Sequence, residues 1–232
     1  MEPRERLIVA LDLPSLDEAL RLADRVAPYV GRLKIGLELF ARSGPDGVQQ
    51  VAQRGPVMLD LKLHDIPATV CRTARALADL KIDLATIHSG GGATMMRDAA
   101  HAAPGLKLLA ITLLTSLDQQ ALASIALTGD VKDIVARRAT LAVANGCAGV
   151  VASPQEASML RRLLGTGPLI VTPGVRPQGL AGEDQKRTST PRAAIAAGAD
   201  MVVVGRPIRD AADPVAAAKA IVEEIATGIR SR

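Results

Sequence analysis

Asp60, Lys62 and Asp65 stand close together in the stretch Val57-Met-Leu-Asp-Leu-Lys-Leu-His-Asp65. Leu59, Leu61 and Leu63 alternate with Asp60, Lys62 and His64, the two-residue period of a strand with distinct faces. Asp60 and Lys62 then share a face, and Asp65 falls just past the strand. On a solvent-facing strand this is ordinary surface. Inside a barrel it is a confined cluster of ionised groups, costly to bury unless paired and therefore typical of a functional site. The chemistry on offer is proton transfer: a lysine acts as general acid while carboxylates hold it and load the site with negative charge.

Lys34, in Leu33-Lys-Ile-Gly-Leu-Glu-Leu39, belongs to the preceding strand. Turned inward, it falls beside Asp60 and Lys62, and interleaving acids with bases keeps all of them ionised. A long Gly/Pro-rich loop starts at Thr172-Pro-Gly-Val-Arg176 and continues through Gly182-Glu-Asp-Gln-Lys-Arg187. A loop of that length in a compact domain is more often functional than idle. Gly205-Arg206 ends the last apolar run, where backbone N–H groups and a bidentate arginine could hold a phosphate. His88 with Gly90-Gly-Gly92 reads as a tight turn with a satisfied histidine, and a second anion cradle is the alternative. His64 and His101 show no partner pattern, and no His/Asp/Glu set has metal-ligand spacing.

The elements that must position these groups repeat with one rhythm. Strand candidates are Leu7–Leu11, Leu33–Gly36, Val57–Leu61, Leu84–His88, Lys107–Thr112, Gly149–Ala152, Leu169–Thr172 and Met201–Val204. Helix-like segments lie between them, with start signals at Ser15, at Ser43 and Pro45, at Pro67, at Pro154 and at Asp213-Pro214. Strict alternation of this kind means parallel pairing with helices over the sheet. The length of 232 residues is near the roughly 250 of one (β/α)8 barrel. A TIM barrel forming a single domain over residues 1–232 is the expectation. Its strands would bring Asp12, Lys34-Ile-Gly36, Asp60 to Asp65, His88-Ser-Gly-Gly-Gly92, Thr112 to Ser116, Ser153, Pro173-Gly-Val-Arg176 and Gly205-Arg206 to one C-terminal face.

Composition narrows the function. Hydrophobic residues make up 48% of the chain, yet Tyr29 and Phe40 are the only aromatics. The core must therefore be Ala, Leu, Ile and Val, and the stacking platforms of single-strand nucleic-acid binders are missing. A net charge of +4 without a basic block argues against duplex binding. Cys71 and Cys147 read as buried free thiols. With no secretory leader and no membrane-length apolar run, a cytoplasmic protein is expected.

Taken in order, Leu7-Ile-Val-Ala-Leu-Asp12, Lys34-Ile-Gly36, Asp60-x-Lys62-x-x-Asp65 with Ile66-Pro-x-Thr69, Leu114-Thr-Ser116, Thr172-Pro-Gly-Val-Arg-Pro177, Asp184-Gln-Lys-Arg187 and Gly205-Arg-Pro-Ile208 resemble the orotidine 5′-phosphate decarboxylase family over essentially the whole chain. The resemblance implies conversion of orotidine 5′-phosphate to UMP with no cofactor and no metal. Lys62 would protonate C6 as carbon dioxide leaves, with Asp60 against the substrate carboxylate. It also implies a homodimer in which Asp65 of the partner subunit completes a network with Lys34, Asp60 and Lys62. Asp12, Lys34 and the partner's Thr69 would hold the ribose, Thr115 and Ser116 the pyrimidine edge. Arg176, Gln185, Gly205 and Arg206 would hold the phosphate, and Ile66 would line the substrate site.

Two rivals are open. Magnesium-dependent sugar-phosphate enzymes of the same superfamily share the Asp-x-Lys-x-x-Asp motif but typically carry glutamate at the place of Lys34, where a lysine would repel the cation. A non-catalytic nucleotide-phosphate-binding barrel would have little reason to crowd two lysines with two aspartates.

Overall fold

Short aliphatic runs pair side by side until the last meets the first. β1 (Leu7–Ala10), β2 (Arg32–Gly36), β3 (Val57–Leu63), β4 (Leu84–His88), β5 (Lys107–Ile111), β6 (Gly149–Val151), β7 (Leu169–Thr172) and β8 (Met201–Val204) form a closed barrel, and all their pairings are parallel. The computed structural model describes residues 1–177 and 189–232. The chain has the (β/α)8 architecture read from its alternation.

Around the barrel run α1 (Leu16–Val26), α2 (Leu37–Ala52), α3 (Pro67–Ala78), α4 (Gly92–Ala102), α5 (Gln119–Ser124), α6 (Val131–Ala144), α7 (Ala157–Leu164), α8 (Pro191–Ala196), the single turn α9 (Arg206–Arg209) and α10 (Pro214–Arg230). Ser15, Asp118, Asp130, Thr190 and Asp213 accept backbone N–H bonds at helix starts, each satisfying a donor the helix leaves orphaned. α2 departs from expectation: it begins at Leu37, directly after β2, rather than at Ser43 and Pro45. Gly44 breaks it at φ +56, so the ring of Pro45 meets a fresh first turn rather than an intact ladder.

Strand alternation divides the apolar residues between two cores. Leu7, Val9 and Leu11 point outward to pack under the helices, while Ile8 and Ala10 point inward. The barrel interior is filled by Ile8, Ala10, Met58, Leu84, Leu109, Ile111, Val151, Val171, Met201 and Val203. Each fully buried side chain of this size contributes roughly 1.5–3 kcal/mol. No aromatic occupies this interior, and its upper layer, which includes Ala10 and Met58, lies below an open cavity. Cys147 is buried, with burial pushing its thiol up to about 12, whereas Cys71 is only half-buried; both are free. Among the described residues, no helix is long and apolar enough to cross a membrane.

Candidate active site

The inward parity of the strands continues past their ends and changes from apolar to charged. On β1, Ile8 and Ala10 are followed by Asp12; on β3, Met58 is followed by Asp60. Register does the rest, since Ala10 pairs with Lys34 across β1–β2 and Gly36 with Asp60 across β2–β3. Asp12, Lys34, Asp60 and Lys62 line a cavity of about 450 Å³ at the C-terminal ends of the strands, floored by Ala10, Met58, Ile111, Val151 and Val203.

The charges form a relay of alternating sign. Lys34 Nζ lies 3.0 Å and 3.2 Å from the two carboxylate oxygens of Asp12, and 3.6 Å from Asp60 Oδ2. Lys62 Nζ donates to Asp60 Oδ1 at 3.0 Å. Lys34 is only 6% exposed, a position a lysine tolerates because a carboxylate stands on either side. Burial pushes the Asp60 carboxyl up, but Lys34 and Lys62 and the hydrogen bonds from Lys62 and Thr86 outweigh it, holding the group below the usual carboxylate range. Asp60 is thus ionised between two cations.

The straight alternation that placed Asp60 and Lys62 on one face is not how Lys62 arrives. β3 slips in register against β4 between Leu59 and Leu63, and Lys62 takes a left-handed φ of +53. That conformation costs a non-glycine residue about 1–2 kcal/mol. Thr86 offsets it: the Lys62 N–H donates to Thr86 Oγ1 at 2.8 Å, and that hydroxyl donates to Asp60 Oδ1 at 2.9 Å. The bulge also carries β3 to Leu63, two residues beyond its expected end, and packs Leu61 and Leu63 against the outer core.

Thr115, Arg176, Gly205 and Arg206 all line the same cavity, with Arg176 buried and Arg206 exposed. Gln185 lies outside the described residues. Asp65, Ile66, Thr69 and Ser116 do not line it. Asp65 is exposed, accepts the Ile66 N–H at 2.6 Å, and forms no ion pair among the described residues. Ile66 is 65% exposed, and Thr69 lies half-buried in the first turn of α3. The chain's own site is therefore Asp12, Lys34, Asp60 and Lys62, without Asp65.

Two residues went unread in the sequence. Thr86 shares the inward parity of Leu84 on β4, so the alternation that singled out Asp60 could have found it. Arg209 lines the cavity from α9 and donates to the Asp12 carbonyl at 2.6 Å; no local pattern marks it. His88 does close a tight turn, its Nδ1 accepting the Gly90 N–H at 3.0 Å. His64, to which no partner was assigned, stacks on it with ring centroids 4.8 Å apart. Burial, with the charges of His64, Arg138 and Lys62, pushes the His88 imidazole down to about 4. No group of three or more His, Cys, Asp or Glu side chains among the described residues could hold a metal ion.

A parallel eight-stranded barrel with an acid–base relay over an apolar floor, and arginines lining the same cavity, places the chain among enzymes of the TIM-barrel class. Residues 5–221 match the Orotidine 5′-phosphate decarboxylase / HUMPS family, and the chain belongs to that family. It is 53% identical over 223 residues to an orotidine 5′-phosphate decarboxylase of Anaeromyxobacter dehalogenans, covering 95% of this chain and 98% of the relative. It is 50% identical over 221 residues to one from Thermobifida fusca, covering 94% and 95%. The crystal structure of orotidine 5′-phosphate decarboxylase from Lactobacillus acidophilus superposes with a TM-score of 0.83 at 36% identity, over 94% of this chain and 98% of that one.

Proposed function

We propose that the protein decarboxylates orotidine 5′-phosphate to UMP in pyrimidine synthesis, without a cofactor, as a cytoplasmic homodimer. The observation that carries this reading is the Lys62 ammonium held 3.0 Å from a half-buried, ionised Asp60 above an apolar floor. Breaking the bond from C6 to the carboxylate releases carbon dioxide and leaves an electron pair on C6. The pyrimidine ring barely delocalises that pair, so stabilisation must come from charge already in place. Lys62 supplies it and delivers the proton to C6, and solvent then reprotonates the amine. Asp60 faces the substrate carboxylate, and Asp12 with Lys34 takes the ribose hydroxyls. Thr115, which lines the cavity, meets the pyrimidine edge, and Ser116, exposed beside it, joins the contact when substrate binds. Arg176, Gln185, Gly205 and Arg206 hold the phosphate; α9 is too short to act as a helix dipole, so the arginines carry that role.

Asp65 belongs to the other protomer's site. It follows Lys62 too closely to fold back beside it, and it faces outward next to the exposed Ile66, with Leu37 and Leu114 also exposed. A two-fold interface covering such apolar residues presents the partner's Asp65 and the partner's Thr69 to the cavity. The sugar-phosphate rival is disfavoured by Lys34, whose ammonium sits between Asp12 and Asp60 where a divalent cation would need both carboxylates.

The test is the absorbance change of orotidine 5′-phosphate on adding protein in the presence of a chelator. Conversion to UMP at full rate is expected. Binding without conversion would make the protein a nucleotide-phosphate binder, and activity that the chelator abolishes would place it with the magnesium enzymes.

A further inference from the structure

We propose that Arg209 is a positioning residue that couples the phosphate end of the cavity to the charged relay, by bracing the backbone of Asp12 against the turn that carries Arg206. The inference rests on the decarboxylase reading above.

Arg209 closes that turn from both sides. Its backbone N–H donates to the Gly205 carbonyl at 3.0 Å, and the N–H of Asp210 donates to the Arg206 carbonyl at 2.9 Å. Its side chain then leaves the turn. Nη1 reaches the Asp12 carbonyl at 2.6 Å, while Nε and Nη2 grip the two Asp210 oxygens at 2.6 Å and 3.1 Å. The guanidinium is thus held by a carboxylate on its own turn and spends its free arm on β1's loop. The hydrogen bond to Asp210 is the main reason its pKa lies above the ordinary arginine value, with Asp12 and Glu38 adding to it.

From Asp12 the connection is continuous: its carboxylate holds Lys34, Lys34 faces Asp60, and Asp60 holds Lys62. A phosphate that fixes Arg206 also fixes the turn, and a planar fork between two fixed acceptors transmits that position to Asp12 better than a single flexible contact. Remote binding energy then acts on turnover rather than on affinity alone. Arg209 is unsuited to bind the phosphate directly, because its strongest donors are committed to Asp210.

The experiment compares wild type, Arg209→Met, Arg209→Lys and Asp210→Asn on orotidine 5′-phosphate and on orotidine, which lacks the phosphate. Arg209→Met is expected to lower kcat for the nucleotide about tenfold while orotidine turnover changes less than about twofold, so the rate advantage of the phosphate shrinks. Arg209→Lys keeps one arm and falls between. Asp210→Asn touches nothing in the cavity and moves kcat in the same direction. Equal losses on both substrates, or no loss, would overturn the brace. So would a rise in KM alone for Arg209→Met, or tighter nucleotide binding by Asp210→Asn, since a freed guanidinium that binds phosphate gives both. Wild-type protein inactive on orotidine 5′-phosphate would instead fell the decarboxylase reading, and the brace with it.

Discussion

Thr86 stands between the backbone of Lys62 and the carboxylate of Asp60, accepting from the first at 2.8 Å and donating to the second at 2.9 Å. One buried hydroxyl on β4 therefore stabilises the left-handed turn at Lys62 and holds the acid that faces its ammonium. Neither hydrogen bond can be made by an apolar group of the same shape.

Thr86→Val should accordingly separate shape from polarity. It leaves the Lys62 N–H without its acceptor and Asp60 with the Lys62 ammonium but not the hydroxyl as donor, so a stability loss of about 1–3 kcal/mol is expected. Turnover should fall at least about tenfold with little change in UMP affinity, because the proton donor is displaced rather than the nucleotide contacts. Thermal melts and steady-state kinetics on one preparation check both. Unchanged turnover would mean the bulge holds itself.

Lys62→Ala should remove nearly all turnover while leaving the fold and nucleotide binding largely intact. No other described cation stands against Asp60 except Lys34, which Asp12 already holds. Retention of more than about a tenth of wild-type activity, a loss under ~1.4 kcal/mol, would sink the proton-donor role.

Mixing Lys62→Ala with Asp65→Ala protein tests the shared site. Each variant alone should be nearly inactive. After subunit exchange, about half the dimers are mixed; one site in each collects both substitutions and the other collects neither, so activity should return to about a quarter of wild type. If Asp65 served its own chain, every site would carry one substitution and mixing would restore nothing.

His88 predicts an acid limb in stability. Its folded-state pKa of about 4 lies below the ordinary 6.5, so the folded protein refuses a proton that the unfolded chain takes up. The neutral ring's contribution is complete above pH 6.5 and is lost as pH falls from there through about 4. Asp60, also depressed, begins to lose its contribution only as pH falls through the ordinary carboxylate value of 3.8, at the lower end of the His88 window. Urea melts between pH 4 and 7 should show a shallower slope for His88→Gln, which keeps an acceptor for Gly90 but cannot titrate. Identical slopes would show that His88 is not the group responsible.

Alternation along β3 and the repeat of apolar runs were legible in the residues themselves, because a strand's period of two depends only on local backbone geometry. They determined the barrel, the face bearing Asp60, and the gathering of Lys34, Thr115, Arg176, Gly205 and Arg206 at one end. Distance between strands is not a local property. Closure and register decided that Asp12 joins Lys34 and that Thr86 reaches across to Lys62. They also decided that Arg209, from the far end of the chain, meets the Asp12 carbonyl. The bulge at Lys62 belongs to the same class: straight alternation put the residue on the correct side, but its left-handed φ is stable only with the Thr86 hydroxyl from β4 in place. Asp65 shows the opposite limit, a residue of the motif that the folded chain turns outward, because a loop leaving a strand at the barrel rim follows the packing of α3 rather than the strand's period.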